Sequence, residues 1–275
     1  MIYVQLTNGF GNNMFQYVAA RLLAAHLHQD LVVVPPTKDY YGIQELGKLG
    51  VKVGGVLPAG IPEVNDRNYT QCFDDRLRNR DLIVRGYFEN YKFFKDNINF
   101  IKSWFPGAPT KHSNDLILHF RAGDRLFYKN EFDTKPQASN YINAINQFNF
   151  NNLYIVTDMP YWDKITVHDL QNMKFHVDVP DSNRVPPESS VDYFNSIVEG
   201  LEQFSPQLKK GTVAEDFNFI RSFGNILFQH GTLCWWAAAL SNADKVGVYG
   251  PWRPWKGDSN KNLSNVGLEG WFKWT

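Results

Sequence analysis

The sequence predicts an α/β protein in which two doubly wound parallel sheets face a cleft. Three observations predict it. β-prone runs such as residues 2–6 and 116–121 alternate with segments whose apolar residues recur at helical spacing. The alternation continues on both sides of a Pro/Gly cluster, Phe105-Pro106-Gly107-Ala108-Pro109. A chain of 275 residues with 43% apolar content can bury the cores of two such units. The expected units are residues 1–105 and 106–275.

Each element follows from a local pattern. Residues 2–6 read as a first strand. Thr7 to Asn13 is a loop carrying Gly9 and Gly11. From Met14 to about His28, Met14, Tyr17, Val18, Leu22 and Ala25 lie on one helical face. Leu31 to Val34 is a buried strand stopped by Pro35-Pro36. Residues 42–81 carry no clear order. A strand is expected over 82–87 and a helix over 91–105. In the second unit, strands are expected at 116–121, 153–157, 175–179, 225–228 and, last in the chain, 245–249. Helices are expected at 140–148, 191–204, 216–223 and 232–240. The tail with Trp252, Trp255, Trp271 and Trp274 has no period.

Composition narrows the function classes. Lys plus Arg and Asp plus Glu number 28 each, and no basic stripe stands out, so nucleic-acid binding is not expected. Cys72 and Cys234 form no CxxC pair, which points to a reducing compartment. The first residues have no basic lead, and the longest apolar runs are too short to span a bilayer. A soluble, cytoplasmic protein without a transmembrane segment is expected. Aromatic residues make up 15% of the chain, with eight Trp, a composition that suits packing against the C–H faces of sugar rings.

Four motifs carry chemistry. Gly9-Phe10-Gly11-Asn12-Asn13-Met14 lacks the third glycine of a dinucleotide fingerprint, and the second strand ends in Val34-Pro35 without an acid for a ribose. What remains is a glycine loop at a helix N-terminus, a place for an anion or a polar substrate, or an ordinary βα turn. His119-Phe120-Arg121-Ala122-Gly123-Asp124 puts His119 and Arg121 on one strand face and Asp124 just past it. A guanidinium there can hold a diphosphate, or it can pin a turn with Asp124. His230-Gly231-Thr232-Leu233-Cys234-Trp235-Trp236 leads into an Ala-rich helix with Thr232 as expected N-cap. Its free amides at Thr232, Leu233 and Cys234 suit a phosphate, and its tryptophans suit a core. Glu215-Asp216 can read one edge of guanine or cap its own helix.

Taken together these blocks resemble the α-1,2-fucosyltransferases, glycosyltransferase family 11. The resemblance rests on Gly9 to Val18, on Gly86-Tyr87-Phe88-Glu89-Asn90-Tyr91-Lys92-Phe93-Phe94, on His119 to Asp124, on Val156-Thr157-Asp158, and on Glu215-Asp216 with Gly231 to Leu240. It implies the GT-B arrangement of two Rossmann-like domains, a nucleotide held by the C-terminal half, inversion at the anomeric carbon, and no metal or other cofactor. Arg121 would contact the donor diphosphate and Asp216 the base. Asp158, Glu215 and the Thr232–Cys234 turn would complete the donor site, and Gly11, Asn12, Asn13 and Gln16 would line the cleft near the acceptor. Ala122, Asn13, Gly231 and Cys234 depart from the family pattern, and Ala122 removes a cation near the diphosphate.

The expected activity is therefore transfer of a sugar, L-fucose from GDP-fucose, onto a hydroxyl of a glycan. The partners are a nucleotide sugar and a carbohydrate. The alternatives are a transferase of the same fold using another GDP-sugar or a UDP-sugar, and a non-catalytic sugar-binding protein. Arg121, Asp124 and His119 are the expected catalytic group. Asp124 is first in line as the base, followed by Glu131 and Asp133. No Asp-x-Asp or HExxH offers metal ligands.

Overall fold

The computed structural model describes residues 1–7, 9–36, 43–105, 111–129, 135–173, 181–229, 231–250 and 267–275. The expected strand over 175–179, the boundary residues 106–109, Trp252 and Trp255 lie outside them.

Two parallel sheets form the architecture. Strand β1 (Ile2–Gln5) lies between β2 (Leu31–Val34) and β4 (Leu82–Val84), and β3 (Glu63–Val64) closes the order β2-β1-β4-β3. The second sheet contains β5 (His112–Phe120), β6 (Leu153–Thr157), β7 (Gln207–Lys209), β8 (Phe223–Phe228), β9 (Lys245–Tyr249) and β10 (Phe272–Trp274), in the order β10-β9-β8-β5-β6-β7. Every pairing between these strands is parallel. Central strands such as Leu116-Ile117-Leu118 are buried on both faces, as a sheet covered by helices requires.

Among the described residues the α-helices are α1 (Phe10–Leu27), α2 (Ile43–Leu46), α3 (Ile98–Trp104), α4 (Ala138–Ile145), α5 (Val167–Asn172), α6 (Pro187–Leu201), α7 (Val213–Arg221) and α8 (Thr232–Ala239). Helix α1 starts at Phe10, so the glycine loop is shorter than expected and Gly11 belongs to the first turn. Nearly all of α1 is buried, because its outer face packs on α8 rather than on solvent.

Several expectations are corrected by packing. The helix expected over 91–105 breaks into two 3₁₀ turns, Tyr91–Phe93 and Lys95–Asn97, before α3. Residues i and i+3 eclipse in a 3₁₀ turn, and Tyr91 and Phe94 both reach Phe15 of α1. Strand β4 stops at Val84 because Asp66 turns the chain there. Its carboxylate accepts the amides of Tyr87 (3.0 Å) and Phe88 (2.7 Å) and holds Phe88 at a left-handed φ of 52°. Phe223 opens β8 rather than ending α7. Strand β9 is not the last: three-residue β10 follows, too short for a periodicity to register, with Trp274 buried against Tyr141 and Tyr249.

The strands of the first sheet fall within residues 1–105 and those of the second within 106–275, yet one apolar cluster runs through both. Its centre is aromatic. Phe15 and Phe94 from the first half meet Trp236 at 4.9 and 5.5 Å between ring centroids, and Tyr91 meets Trp235 at 4.5 Å. Each such pair adds about 0.5–1.5 kcal/mol beyond its burial. Two cations tie the same seam: Arg221 donates to the Phe105 carbonyl (3.1 Å) and Lys102 to that of Ser241 (2.7 Å).

Candidate active site

The sheet orders define two switch points, where successive connections leave in opposite directions. One lies between β1 and β4, the other between β5 and β8. Ligands of open α/β sheets bind outside the carboxyl ends of strands at such points. The two points meet in space, because α1 follows β1 and α8 follows β8, and their N-termini touch. A Cβ on Gly11 would overlap the Leu233 amide and the Thr232 hydroxyl. Thr232 Oγ1 donates to Asn12 Oδ1 at 2.8 Å. Thr232 is therefore not the N-cap. Gly231 takes that place, at a φ of 131° that favours glycine, and the Thr232 hydroxyl is spent on the other half. Neither Gly9 nor Gly231 caps its helix with a side chain, and neither first turn carries an acid. Two positive helix ends thus converge with no protein anion in their first turns.

The first switch point is otherwise filled. Gln16 is buried, accepts the Thr7 amide (2.9 Å), and donates to Thr7 Oγ1 (2.7 Å) and the Gly86 carbonyl (2.9 Å). It pins the ends of β1 and β4 together. Asn13 is fully buried. Gly11, Asn13 and Gln16, expected to face an acceptor, therefore face protein. Cys234 is also fully buried, and burial pushes its thiol well above the ordinary range, so its side chain faces the core. Leu233 is half-buried beside Gly11.

The second switch point is ionic and more open. Arg121, just past β5, bridges two carboxylates: Nη2 donates to Asp124 Oδ1 at 2.7 Å, and Nη1 to Asp158 Oδ2. Asp158 follows β6, and its Oδ1 accepts the Ala122 amide at 2.8 Å. Gly123 is at a φ of 38°, and a Cβ there would overlap Asp158 Oδ2, so glycine is what lets the two loops close on one guanidinium. Asp124 is the enclosed partner, with 8% of its side chain exposed against 28% for Asp158. His119 is buried, and its Nδ1 has no partner among the described residues. Burial, aided by the Arg121 charge, pushes its pKa down to about 3, so the ring is neutral at physiological pH. It lies beside Gly231.

Glu215 and Asp216 begin α7 and behave differently. Glu215 completes a capping box with Thr212, each side chain bonding the other's amide. Asp216 is half-buried, its Oδ1 has no hydrogen-bond partner among the described residues, and burial raises its pKa to about 6. Lys210, between β7 and α7, sits close enough to Asp216 and Asp158 to feel both charges and donates to the Met159 carbonyl at 2.8 Å. Sequence patterns gave no sign of it, since one Lys after an edge strand has no periodic or motif signal. Glu131, Asp133, Asn8 and His230 lie outside the described residues. Among the described residues, no group of three His, Cys, Asp or Glu side chains could hold a metal ion, and no helix is long and apolar enough to cross a membrane.

No family model and no curated protein matches the chain. Among solved structures it is similar to an alpha-1,6-fucosyltransferase, NodZ, soaked with GDP-fucose. The match covers 87% of this chain and 92% of that one, at 11% identity and a TM-score of 0.35. A structure of the fucosyltransferase NodZ from Bradyrhizobium matches over 87% and 93%, at 10% identity and a TM-score of 0.33. At that level the likeness carries no argument about activity.

Proposed function

We propose that the chain is an inverting glycosyltransferase that moves a sugar from a nucleoside diphosphate to a hydroxyl of a glycan. The observation that carries this reading is the meeting of two uncapped helix N-termini, both free of first-turn acids, beside the neutral ring of His119, which in turn feels the charge of Arg121. Such a place favours negative charge, and the charge that develops on a leaving diphosphate is of that kind. The five sequence blocks support L-fucose from GDP-fucose as the donor, with residues 1–105 and 106–275 as the two domains. Asp216, whose Oδ1 has no hydrogen-bond partner among the described residues, is suited to the N1–H and N2–H₂ edge of guanine.

In this reading the acceptor oxygen bonds to the anomeric carbon as the bond from that carbon to the diphosphate oxygen breaks. The bonding pair leaves with the diphosphate, and the hydroxyl proton passes to a carboxylate. Arg121 and the helix ends hold the leaving group. Asp124, enclosed and bonded to Arg121, suits orienting the guanidinium. Asp158 is the more open of the two and is the better placed to take the proton once a diphosphate draws Arg121 away. Thermal melts with GDP, UDP and ADP test the reading. A ligand at about 100 times its Kd adds roughly 2.7 kcal/mol of stability. GDP should raise the Tm most; no shift with any nucleotide overturns the reading, and a larger shift with UDP moves the donor to a UDP-sugar.

A further inference from the structure

An acceptor needs a place, and Gly11, Asn13 and Gln16 of the first switch point, expected to line one, are packed against protein. An open depression of roughly 480 Å³ lies instead at the carboxyl edge of β6 and β7. Asp158 enters it from β6, Lys210 from β7, Asp169 and Asn172 from α5, and Tyr161 from the intervening loop. We propose that this depression is the acceptor subsite, taking a neutral, hydroxyl-rich saccharide that stacks on Tyr161 and is read by Asp158, Asp169, Asn172 and Lys210. The proposal rests on the transferase reading and assigns that reaction its second substrate.

Charge argues for a neutral ligand. Asp158 is already paired with Arg121, and Asp169 and Lys210 add one charge of each sign, so the lining has no surplus charge to attract an ion, whereas sugar hydroxyls donate well to carboxylates and accept from Lys210. The loop is also built to present its aromatic. Met159 and Ile165 are buried, and Trp162 packs on Phe120 and Phe194. Asn195 clamps Ile165 through both its amide and its carbonyl, each at 2.8 Å. Between these anchors Tyr161 stands 37% exposed, a large ring that adds little to the core. A loop anchored in this way loses little entropy when a sugar stacks on the ring it presents. Asp169 is held too, its Oδ2 accepting the Thr166 amide (2.8 Å) and hydroxyl (2.7 Å). Asp158 joins the depression to Arg121, so a hydroxyl bound to it stands next to the guanidinium assigned to the leaving diphosphate.

The test uses the full chain with Tyr161→Ala and Asn172→Ala, neither of which touches Arg121 in the described contacts. Saturation-transfer NMR with neutral sugars (glucose, galactose, mannose, N-acetylglucosamine and their methyl glycosides), in the presence of GDP, reports sugar binding. Calorimetry reports GDP. Sugar affinity should fall roughly tenfold in Tyr161→Ala, with GDP affinity unchanged within twofold. Sugar binding equal to wild type in both variants overturns the subsite, as does a wild type that binds GDP but no sugar. Loss of GDP affinity with sugar binding retained makes the depression a nucleotide site and also overturns it. If no nucleotide binds while sugars bind through Tyr161, the transferase reading fails and the sugar site stands.

Discussion

The two switch points use polar residues in opposite ways. At the first, between β1 and β4, Gln16 spends its amide on three partners and is sealed from water. At the second, between β5 and β8, Arg121 and Asp158 keep about 30% of their side chains exposed, and His119 carries a buried nitrogen with no partner among the described residues. A satisfied, buried network fixes a backbone, whereas an ionic cluster with an unmet donor or acceptor is a place waiting for a ligand. Similarity of topology therefore does not imply equivalence of role.

Four experiments sharpen or break that contrast. The largest effect is expected from Arg121→Ala: kcat/KM for sugar transfer should fall roughly 10²- to 10³-fold, as when a donor to a developing oxyanion is lost. The Tm should move by only a few degrees. A large Tm loss with near-normal kinetics would make Arg121 a structural pin like Gln16. Gln16→Leu should do the reverse. It removes the hydrogen bonds of Gln16 to the partly buried Thr7 amide and Gly86 carbonyl, at up to about 1–3 kcal/mol each, and the Tm should drop by roughly 5–10 °C. Steady-state kinetics below the transition should stay within a few-fold; a specific rise in acceptor KM would return Gln16 to the substrate.

Gly11→Ala probes the contact between the two points. The added methyl would meet Leu233 and Thr232, and overpacking of this kind costs about 1–3 kcal/mol. Both the Tm and GDP affinity should fall, since the helix ends must part; an unchanged GDP affinity would detach the helix ends from nucleotide binding.

The smallest effect concerns pH. Asp216 must be ionised to accept from guanine, and burial raises its pKa to about 6. GDP affinity should weaken about fourfold between pH 7.5 and 5.5, and Asp216→Asn should remove that slope. The stability sign is opposite to that of an ion-paired carboxylate. With its pKa raised above the ordinary 3.8, Asp216 favours the fold fully below about pH 4, and that contribution is lost as pH rises through about 6. A melt series on the apoprotein, wild type against Asp216→Asn, checks the direction.

The sequence by itself determined the two parallel sheets and the loops at their carboxyl ends, because buried strands and amphipathic helices write their periods locally. It also brought Arg121, Asp124 and Asp158 forward, since short motifs at strand ends are legible without neighbours. Tertiary structure decided which of the motif residues are available. Gln16 and Asn13 look like site residues in one dimension and are buried in the fold: Gln16 closes on Thr7 and on Gly86, seventy positions away, while the α1 that carries them packs on α8, more than two hundred positions away. Thr232 loses its capping role to Gly231 for the same reason: its hydroxyl is drawn to Asn12 across that seam. Lys210 and Tyr161 gain significance only where β6, β7 and α5 meet at one edge. Burial and cross-chain proximity depend on the whole folded surface, and no local pattern encodes them.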